Sequence, residues 1–166
     1  MNKIIFFTLI AAALLVGAGC PDVTTQTPSA SAPPAAGVTG GTAHRIDLHG
    51  RGLTKVSMDI FDRTDTQELD LSDNSLKDSL PSQLGQLTGL RVLDISGNVM
   101  TGLPAEVGRL SKLEVLDVSN NRLTGLPLEI GNLRNLKVLD VSGNQYSAQD
   151  LDSIVSGLPA TTEVRR

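Results

Sequence analysis

The sequence has 166 residues, a formal net charge of −4, and 40% hydrophobic but only 2% aromatic residues. The scarcity of aromatic residues argues against sites that stack flat ligands, such as single-stranded nucleic-acid grooves and aromatic cages for quaternary amines, and the negative charge disfavours nucleic acid as a partner. A single Cys and two His exclude a disulfide framework and a structural zinc site built from His and Cys.

Residues 1–19 have the features of a cleaved export signal. Lys3 supplies a positive charge, and an uncharged apolar run extends from Ile4 to Val16. This run is shorter than the about 20 apolar residues that a membrane-spanning helix needs, so permanent anchoring by the segment is the weaker alternative. The pattern therefore predicts a signal peptide and an exported protein.

The end of this signal resembles the lipobox of bacterial lipoproteins, with the residues Leu15-Val16-Gly17-Ala18-Gly19-Cys20. Gly17 departs from that pattern, in which Leu is commonest. The resemblance implies that Cys20 is lipidated and holds the chain on the outer face of a bacterial membrane, in the cell envelope; several lipid chains give stable anchoring. An unmodified Cys20 after an ordinary signal is the alternative. Pro21 follows the Cys, so the choice between inner and outer membrane stays open.

The segment that follows, residues 20–43, contains mainly Pro, Ser, Thr, Ala and Gly and has no apolar period. Such a composition cannot bury a core, so we predict a disordered linker that carries the lipidated Cys at its start. A chain of this type acts as a semi-extended tether between the lipid surface and a folded domain. The folded domain is predicted to span residues 44–166.

A repeat with a period of 23 residues organises this domain. Three positions recur at this spacing in the central part of the chain, as Leu90/Leu113/Leu136, Leu93/Leu116/Leu139 and Asn98/Asn121/Asn144. Pro104 and Pro127 also recur, each after a Leu. One related unit with an extra residue precedes them, around Asn74, and degenerate units lie at both ends. A fixed period of this length is typical of a solenoid, and the five units predict five coils.

These units resemble the leucine-rich-repeat family, L-x-x-L-x-L-x-x-N-x-L, over nearly all of residues 44–160. Most are similar to the 23-residue bacterial type, and the unit around Asn74 is closer to the 24-residue plant-like type, with Asp78 where that type has Gly. The resemblance implies an α/β solenoid: an arc of about five 23–24-residue repeats with a concave parallel β-sheet and short helical or 3₁₀ convex limbs. The concave face is the usual binding surface of this fold.

The residues themselves favour the same architecture. In Leu93-Asp94-Ile95 the alternation places the two apolar side chains on one face and Asp94 on the other, which predicts a short half-buried strand. An Asn after each strand can bond to backbone groups of neighbouring coils, which predicts a structural ladder of four residues. The ladder consists of Asn74, Asn98, Asn121 and Asn144.

Both ends of a solenoid must be closed, because an open stack exposes its core and a strand edge. At the C-terminal end, Ser147 to Asp150 has an S-x-x-D capping pattern before apolar residues at helical spacing, which predicts a capping helix over residues 148–156. Residues 163–166 are predicted to add a terminal strand. Met58, Ile60 and Phe61 are the apolar residues available to cover the other end.

Three columns of outward-facing residues run across the predicted sheet. One column is acidic and consists of Asp47, Asp70, Asp94, Asp117 and Asp140. Carboxylates at about 5 Å spacing repel, which raises some of their pKa values and attracts cations. Beside it lie Arg45, Glu68, Val92, Val115 and Val138; the next column is His44, Gln67, Arg91, Glu114 and Lys137. The alternative is that these columns are ordinary repeat sequence, with Ser72, Ser96, Ser119 and Ser142 holding the Asp side chains.

No catalytic residues, metal or cofactor are predicted. His49, Asp47 and Ser72 form a superficial triad that lacks an oriented third group, an oxyanion hole and a closed pocket. We therefore expect a monomeric, non-enzymatic module that binds a protein of unknown identity on its concave face. The residues predicted to contact it are Arg91, Val92, Asp94, Glu114, Val115, Asp117, Lys137, Val138 and Asp140. The alternative is an envelope structural or self-associating module without a dedicated soluble partner.

Overall fold

The computed structural model describes residues 44–166, which form a single run of stacked coils. Each coil contributes one three-residue strand to a parallel sheet of six strands. In chain order and in spatial order alike, these strands are β1 (Arg45–Asp47), β2 (Glu68–Asp70), β4 (Val92–Asp94), β6 (Val115–Asp117), β7 (Val138–Asp140) and β8 (Glu163–Arg165). The predicted leucine-rich-repeat solenoid is confirmed, and its terminal strand is present.

The strand register follows the sequence repeat without a shift. Leu93 of β4 lies opposite Leu69 on one side and Leu116 on the other, and Leu116 lies opposite Leu139. These four side chains are fully buried, whereas the residues on either side of them in the strands face outward. One inward Leu per strand therefore builds a continuous core behind the sheet, because successive side chains of a strand alternate between its faces.

Within residues 44–166, the convex limbs consist of four short 3₁₀ helices, and three of them begin directly after a Pro. Three of them follow Pro81, Pro104 and Pro127 and occupy Ser82–Gln86, Ala105–Arg109 and Leu128–Asn132, and a fourth covers Met58–Ile60. Pro fixes φ near the value that such a turn needs and has no N–H to leave unpaired at the start. Gly108 permits close stacking, since a Cβ there would lie 2.5 Å from the carbonyl oxygen of Glu129 in the next coil.

A second, two-stranded parallel sheet pairs β3 (Lys77–Asp78) with β5 (Val99–Met100). The sequence did not predict it. It lies in the repeat that is similar to the plant-like type and in the repeat after it. Asp78 has a positive φ of 60°, which explains why Gly is preferred at this position of the plant-like type: Gly has no Cβ to clash in the left-handed region.

The residue before the repeated Asn or its Arg51 substitute also has a positive φ in every coil, and this feature was missed as well. The residues at this position are Gly50, Asp73, Gly97, Asn120 and Gly143. Gly, Asn and Asp are the types that tolerate this conformation at the lowest cost. At Gly97 a Cβ would lie only 2.3 Å from Oδ1 of Asp73, so space adds to the backbone requirement there. The sharp corner after each strand depends on these residues.

The C-terminal end is closed by α1 (Ala148–Gly157), one residue longer than predicted, followed by β8. Ser147 caps the helix by accepting a hydrogen bond from the backbone N–H of Gln149 at 3.2 Å. Leu151 and Ile154 of α1 are buried against the stack. At the opposite end Phe61 is fully buried and Ile60 nearly so, whereas Met58 remains 48% exposed. No helix within residues 44–166 is long and apolar enough to cross a membrane.

Candidate functional site

The outward face of the six-stranded sheet brings together all nine residues that were predicted to contact a partner. Val92, Val115 and Val138 occupy equivalent positions on three adjacent strands and lie directly opposite one another in the register. Their side chains are half-buried rather than fully exposed. They form an apolar strip across the middle of the face, which we call the valine strip.

A charged column borders the valine strip on the N-terminal side of the strands. Glu114 accepts hydrogen bonds from Arg91, whose Nε lies 2.8 Å from Oε1, and from Nζ of Lys137. The hydrogen bond from Lys137, followed by that from Arg91, holds the pKa of Glu114 below its usual range. The three side chains thus form ion pairs with one another. Together with Lys112 and Asn135 they line a shallow surface depression.

The acidic column, here called the aspartate ladder, borders the valine strip on the other side. It comprises Asp47, Asp70, Asp94, Asp117 and Asp140. In each member Oδ1 accepts a hydrogen bond from the backbone N–H two residues later, at 2.9 to 3.2 Å. Asp70, Asp94 and Asp140 also accept a hydrogen bond from the hydroxyl of the following Ser, whereas Ser119 binds Asp117 only through its backbone N–H. These turns fix the carboxylates in place.

Arginines neutralise the two ends of the ladder through the second oxygen, Oδ2. Nη2 of Arg45 lies 3.6 Å from Oδ2 of Asp47 and 3.9 Å from Oδ2 of Asp70, so one guanidinium bridges two carboxylates. At the other end Nη1 of Arg165 lies 3.8 Å from Oδ2 of Asp140. Sequence reasoning did not assign this role to either arginine. For Arg165 the signal was available, because a terminal strand at residues 163–166 continues the ladder column.

The centre of the ladder has no such partner among residues 44–166, since none of the ion pairs there involves Asp94 or Asp117. Burial raises the pKa of Asp94; hydrogen bonds from Ser96 oppose this effect, and the neighbouring carboxylates of Asp117 and Asp70 add to it. The predicted mutual repulsion is therefore present but is secondary to burial. The carboxylate of Asp94 is partly desolvated and lacks a cation.

The hydrogen bonds around His49 do not match those of a nucleophilic triad. Nδ1 of His49 lies 2.9 Å from Oγ of Ser72, and the hydroxyl of Ser72 donates to Oδ1 of Asp70 at 2.5 Å. Because this hydroxyl proton points to Asp70, the imidazole acts as the donor in the His49–Ser72 contact and not as a base. Asp47 accepts from the backbone N–H of His49 rather than from its ring. A general base must instead accept the proton of its nucleophile.

The repeated Asn residues lie behind the sheet and bond across coils. Nδ2 of Asn98 donates to the carbonyl oxygens of Ile95 and Ser96 in its own coil and of Leu71 in the preceding coil, at 3.0 to 3.1 Å. Its Oδ1 accepts from the backbone N–H of Leu76 at 3.0 Å. Asn74, Asn121 and Asn144 make the same kind of contacts. These residues hold successive coils together and do not belong to the outward face of the sheet.

The predicted signal peptide, the predicted lipidation site at Cys20 and the predicted linker lie outside the described residues. Within the described part of the chain, no group of three or more His, Cys, Asp or Glu side chains is arranged to hold a metal ion.

The repeat geometry agrees with the comparison to known families, in which residues 64–160 match the sequence profile of a leucine-rich repeat region. The chain belongs to the leucine-rich-repeat family. This fold is generally a binding scaffold rather than an enzyme, and its members are typical protein–protein interaction modules. No curated protein sequence matches the chain.

Solved structures with this fold include a leucine-rich-repeat protein of Leptospira interrogans, which is 37% identical with a TM-score of 0.64 over 68% of this chain. The chain covers only 28% of the length of that protein. The ectodomain of the receptor kinase SOBIR1 from Arabidopsis thaliana is 30% identical, with a TM-score of 0.60 over 72% of this chain and 65% of that one. The BIR3–SERK2 complex of the same plant is 33% identical, with a TM-score of 0.57 over 62% and 57% of the two chains.

Proposed function

We propose that this protein is an exported module that binds another protein on its concave face without chemical turnover. The valine strip carries this proposal. It presents apolar area between two charged columns, and a small apolar patch with a polar border is what a modest protein interface presents before binding. The family supports the same assignment, because one of its structural neighbours is itself a complex between two proteins.

We also propose that the chain is anchored to the outer face of a bacterial membrane through lipid on Cys20. The support is the signal-like run of residues 1–19 and the lipobox-like residues before Cys20. The linker of residues 20–43 would then hold the concave face away from the lipid surface, where a partner in the envelope can reach it. The net charge of −4 disfavours a nucleic acid as the partner, because a negatively charged chain repels the phosphate backbone.

A capture experiment tests the concave-face proposal. The full chain serves as bait in a detergent-solubilised envelope extract, beside the variant with Asp94→Arg and Asp117→Arg, whose fold is verified by circular dichroism. We expect the native chain to retain a protein that the variant releases, because two bulky positive side chains beside the valine strip block it sterically and electrostatically. Equal retention by both chains would remove the concave face from the account. Concentration-dependent assembly with no retained protein would instead favour a self-associating module.

A further inference from the structure

The middle of the concave face has an apolar strip and fixed carboxylates side by side, and no cation from residues 44–166 pairs with these carboxylates. Asp94 and Asp117 lie on the neighbouring strands β4 and β6, next to Val92 and Val115. Oδ1 of Asp94 accepts a hydrogen bond from the backbone N–H of Ser96 at 3.0 Å, and Oδ1 of Asp117 accepts one from the backbone N–H of Ser119 at 2.9 Å. Oδ2 of each forms no ion pair with any residue between 44 and 166. The negative charges at the centre of the face are therefore not balanced by a positive side chain from residues 44–166.

At one end of the aspartate ladder, an arginine of the same molecule pairs with two carboxylates of this kind. Two strands away, the guanidinium of Arg45 bridges Oδ2 of Asp47 and Oδ2 of Asp70, which stand in the same register as Asp94 and Asp117. Its Nη1 also bonds Oε2 of Glu68 at 3.2 Å, in the column that becomes the valine strip further along the sheet. A planar guanidinium with several donors suits two carboxylates on adjacent strands, whereas a lysine ammonium is a compact point charge.

The neighbouring cations of the face are not available for this role. Arg91 and Lys137 are both bound to Glu114 in the outer charged column, and Arg165 lies against Asp140 and Glu163 at the end of the sheet. The side chains of residues 44–166 therefore leave Asp94 and Asp117 without a cation, and a cation from outside can take this place. Because the adjoining strip is apolar, the group that carries the cation is expected to have aliphatic neighbours.

We infer that the protein partner inserts one arginine between Asp94 and Asp117 and packs aliphatic side chains of the same extended segment on the valine strip. This inference rests on the proposed function and specifies the chemistry of the partner. An extended segment presents alternate residues to the same side, so its apolar contacts flank the arginine. Partial burial of Asp94 strengthens a charge-assisted hydrogen bond to it, because the local dielectric is lower than that of bulk water.

A synthetic peptide tests the inference with the full chain. The probe is an acetylated, amidated pentapeptide of sequence Val-Ser-Arg-Ser-Val, in which the arginine and both valines lie on the same side of the extended chain. Its control replaces the arginine with citrulline, which has the same shape without the charge. Binding is measured by isothermal titration calorimetry at two salt concentrations. We expect the arginine peptide to bind at least about tenfold more tightly than the citrulline peptide, the change that follows from losing one charge-assisted hydrogen bond. Equal binding of the two peptides would overturn the inference.

Paired variants separate a local contact from attraction by overall charge. The variant with Asp94→Asn and Asp117→Asn is expected to lose the preference for arginine. The variant with Asp62→Asn and Glu129→Gln removes the same net charge from exposed residues outside the sheet and is expected to keep it. Loss of the preference in both variants would show non-specific attraction and overturn the inference. A captured protein could fail to bind the variant with Asp94→Arg and Asp117→Arg but bind the variant with Asp94→Asn and Asp117→Asn as well as the native chain. In that case binding on the concave face stands and the proposed arginine contact is wrong.

Discussion

Replacement of Leu116 by Ala is expected to lower the free energy of unfolding by about 2 to 5 kcal/mol, because it leaves a cavity at the centre of the solenoid core. Leu116 is fully buried in β6 and lies opposite the equally buried Leu93 and Leu139 in the neighbouring strands. Each coil of a solenoid contacts only its neighbours, so damage in the middle coil weakens two interfaces at once. Urea denaturation followed by circular dichroism measures the change.

The matched control is Leu128→Ala. This substitution removes the same atoms from a side chain that is 61% exposed on a convex 3₁₀ segment. We expect its effect to stay within about 0.5 kcal/mol, as is usual for surface positions. Similar losses at Leu116 and Leu128 would contradict the burial of Leu116 and the strand register that places it in the core.

Replacement of Asn121 by Ala is expected to cost about 2 to 4 kcal/mol of unfolding free energy, because it removes four hydrogen bonds and leaves the buried backbone N–H of Met100 without its acceptor. Nδ2 of Asn121 donates to the carbonyl oxygens of Ile95, Val118 and Ser119, and Oδ1 accepts from the backbone N–H of Met100 at 3.0 Å. Ile95 and Met100 belong to the preceding coil, so the substitution weakens the contact between two coils and not only a turn within one coil.

Hydrogen exchange gives this prediction a specific readout. The substitution Asn121→Ala should increase the exchange rate of the Met100 amide proton more than that of amide protons in the distant first coil, because only the Met100 amide loses its acceptor directly. Asn132→Ala, at an exposed position on a convex limb, serves as the control and should leave that amide protected. Unchanged protection of Met100 in Asn121→Ala would show that the Asn residue does not bridge the coils.

The sequence was sufficient to predict the fold because the period and the alternation agree. Leu93 and Asn98 each recur at the same spacing, and only stacking in parallel at a constant register buries every such Leu and pairs every such Asn. Helix α1 was also predictable, since its cap at Ser147 and the helical spacing of Leu151 and Ile154 are features of the local sequence. In these elements, local preference and tertiary packing favour the same conformation.

The second sheet and the left-handed corners could not be predicted with the same arguments. The strands of the second sheet, at residues 77–78 and 99–100, are too short for a period-two pattern to be visible. The corner position is occupied by Gly97 in one coil but by Asp73 and Asn120 in others. No single residue type marks this position, although all three types share a tolerance for positive φ.

For the candidate site, the sequence predicted which residues share a face but not which of them are neutralised. The position of Asp94 in the ladder follows from the repeat. The bridging of Asp47 and Asp70 by Arg45 depends on the conformation of a long flexible side chain, which the repeat does not specify. The difference between the neutralised ends and the uncompensated centre of the ladder therefore became visible only in three dimensions.

Site-specific photo-crosslinking in cells that produce the protein natively tests the central claim, concave-face binding, most directly. The photoreactive residue p-benzoylphenylalanine replaces Val92 or Val138 at the ends of the valine strip in separate variants, and Leu128 on the convex side in the control. We predict that irradiation yields an adduct with the same protein from Val92 and Val138 and none from Leu128. An adduct from Leu128, together with none from either end of the strip, would contradict the claim.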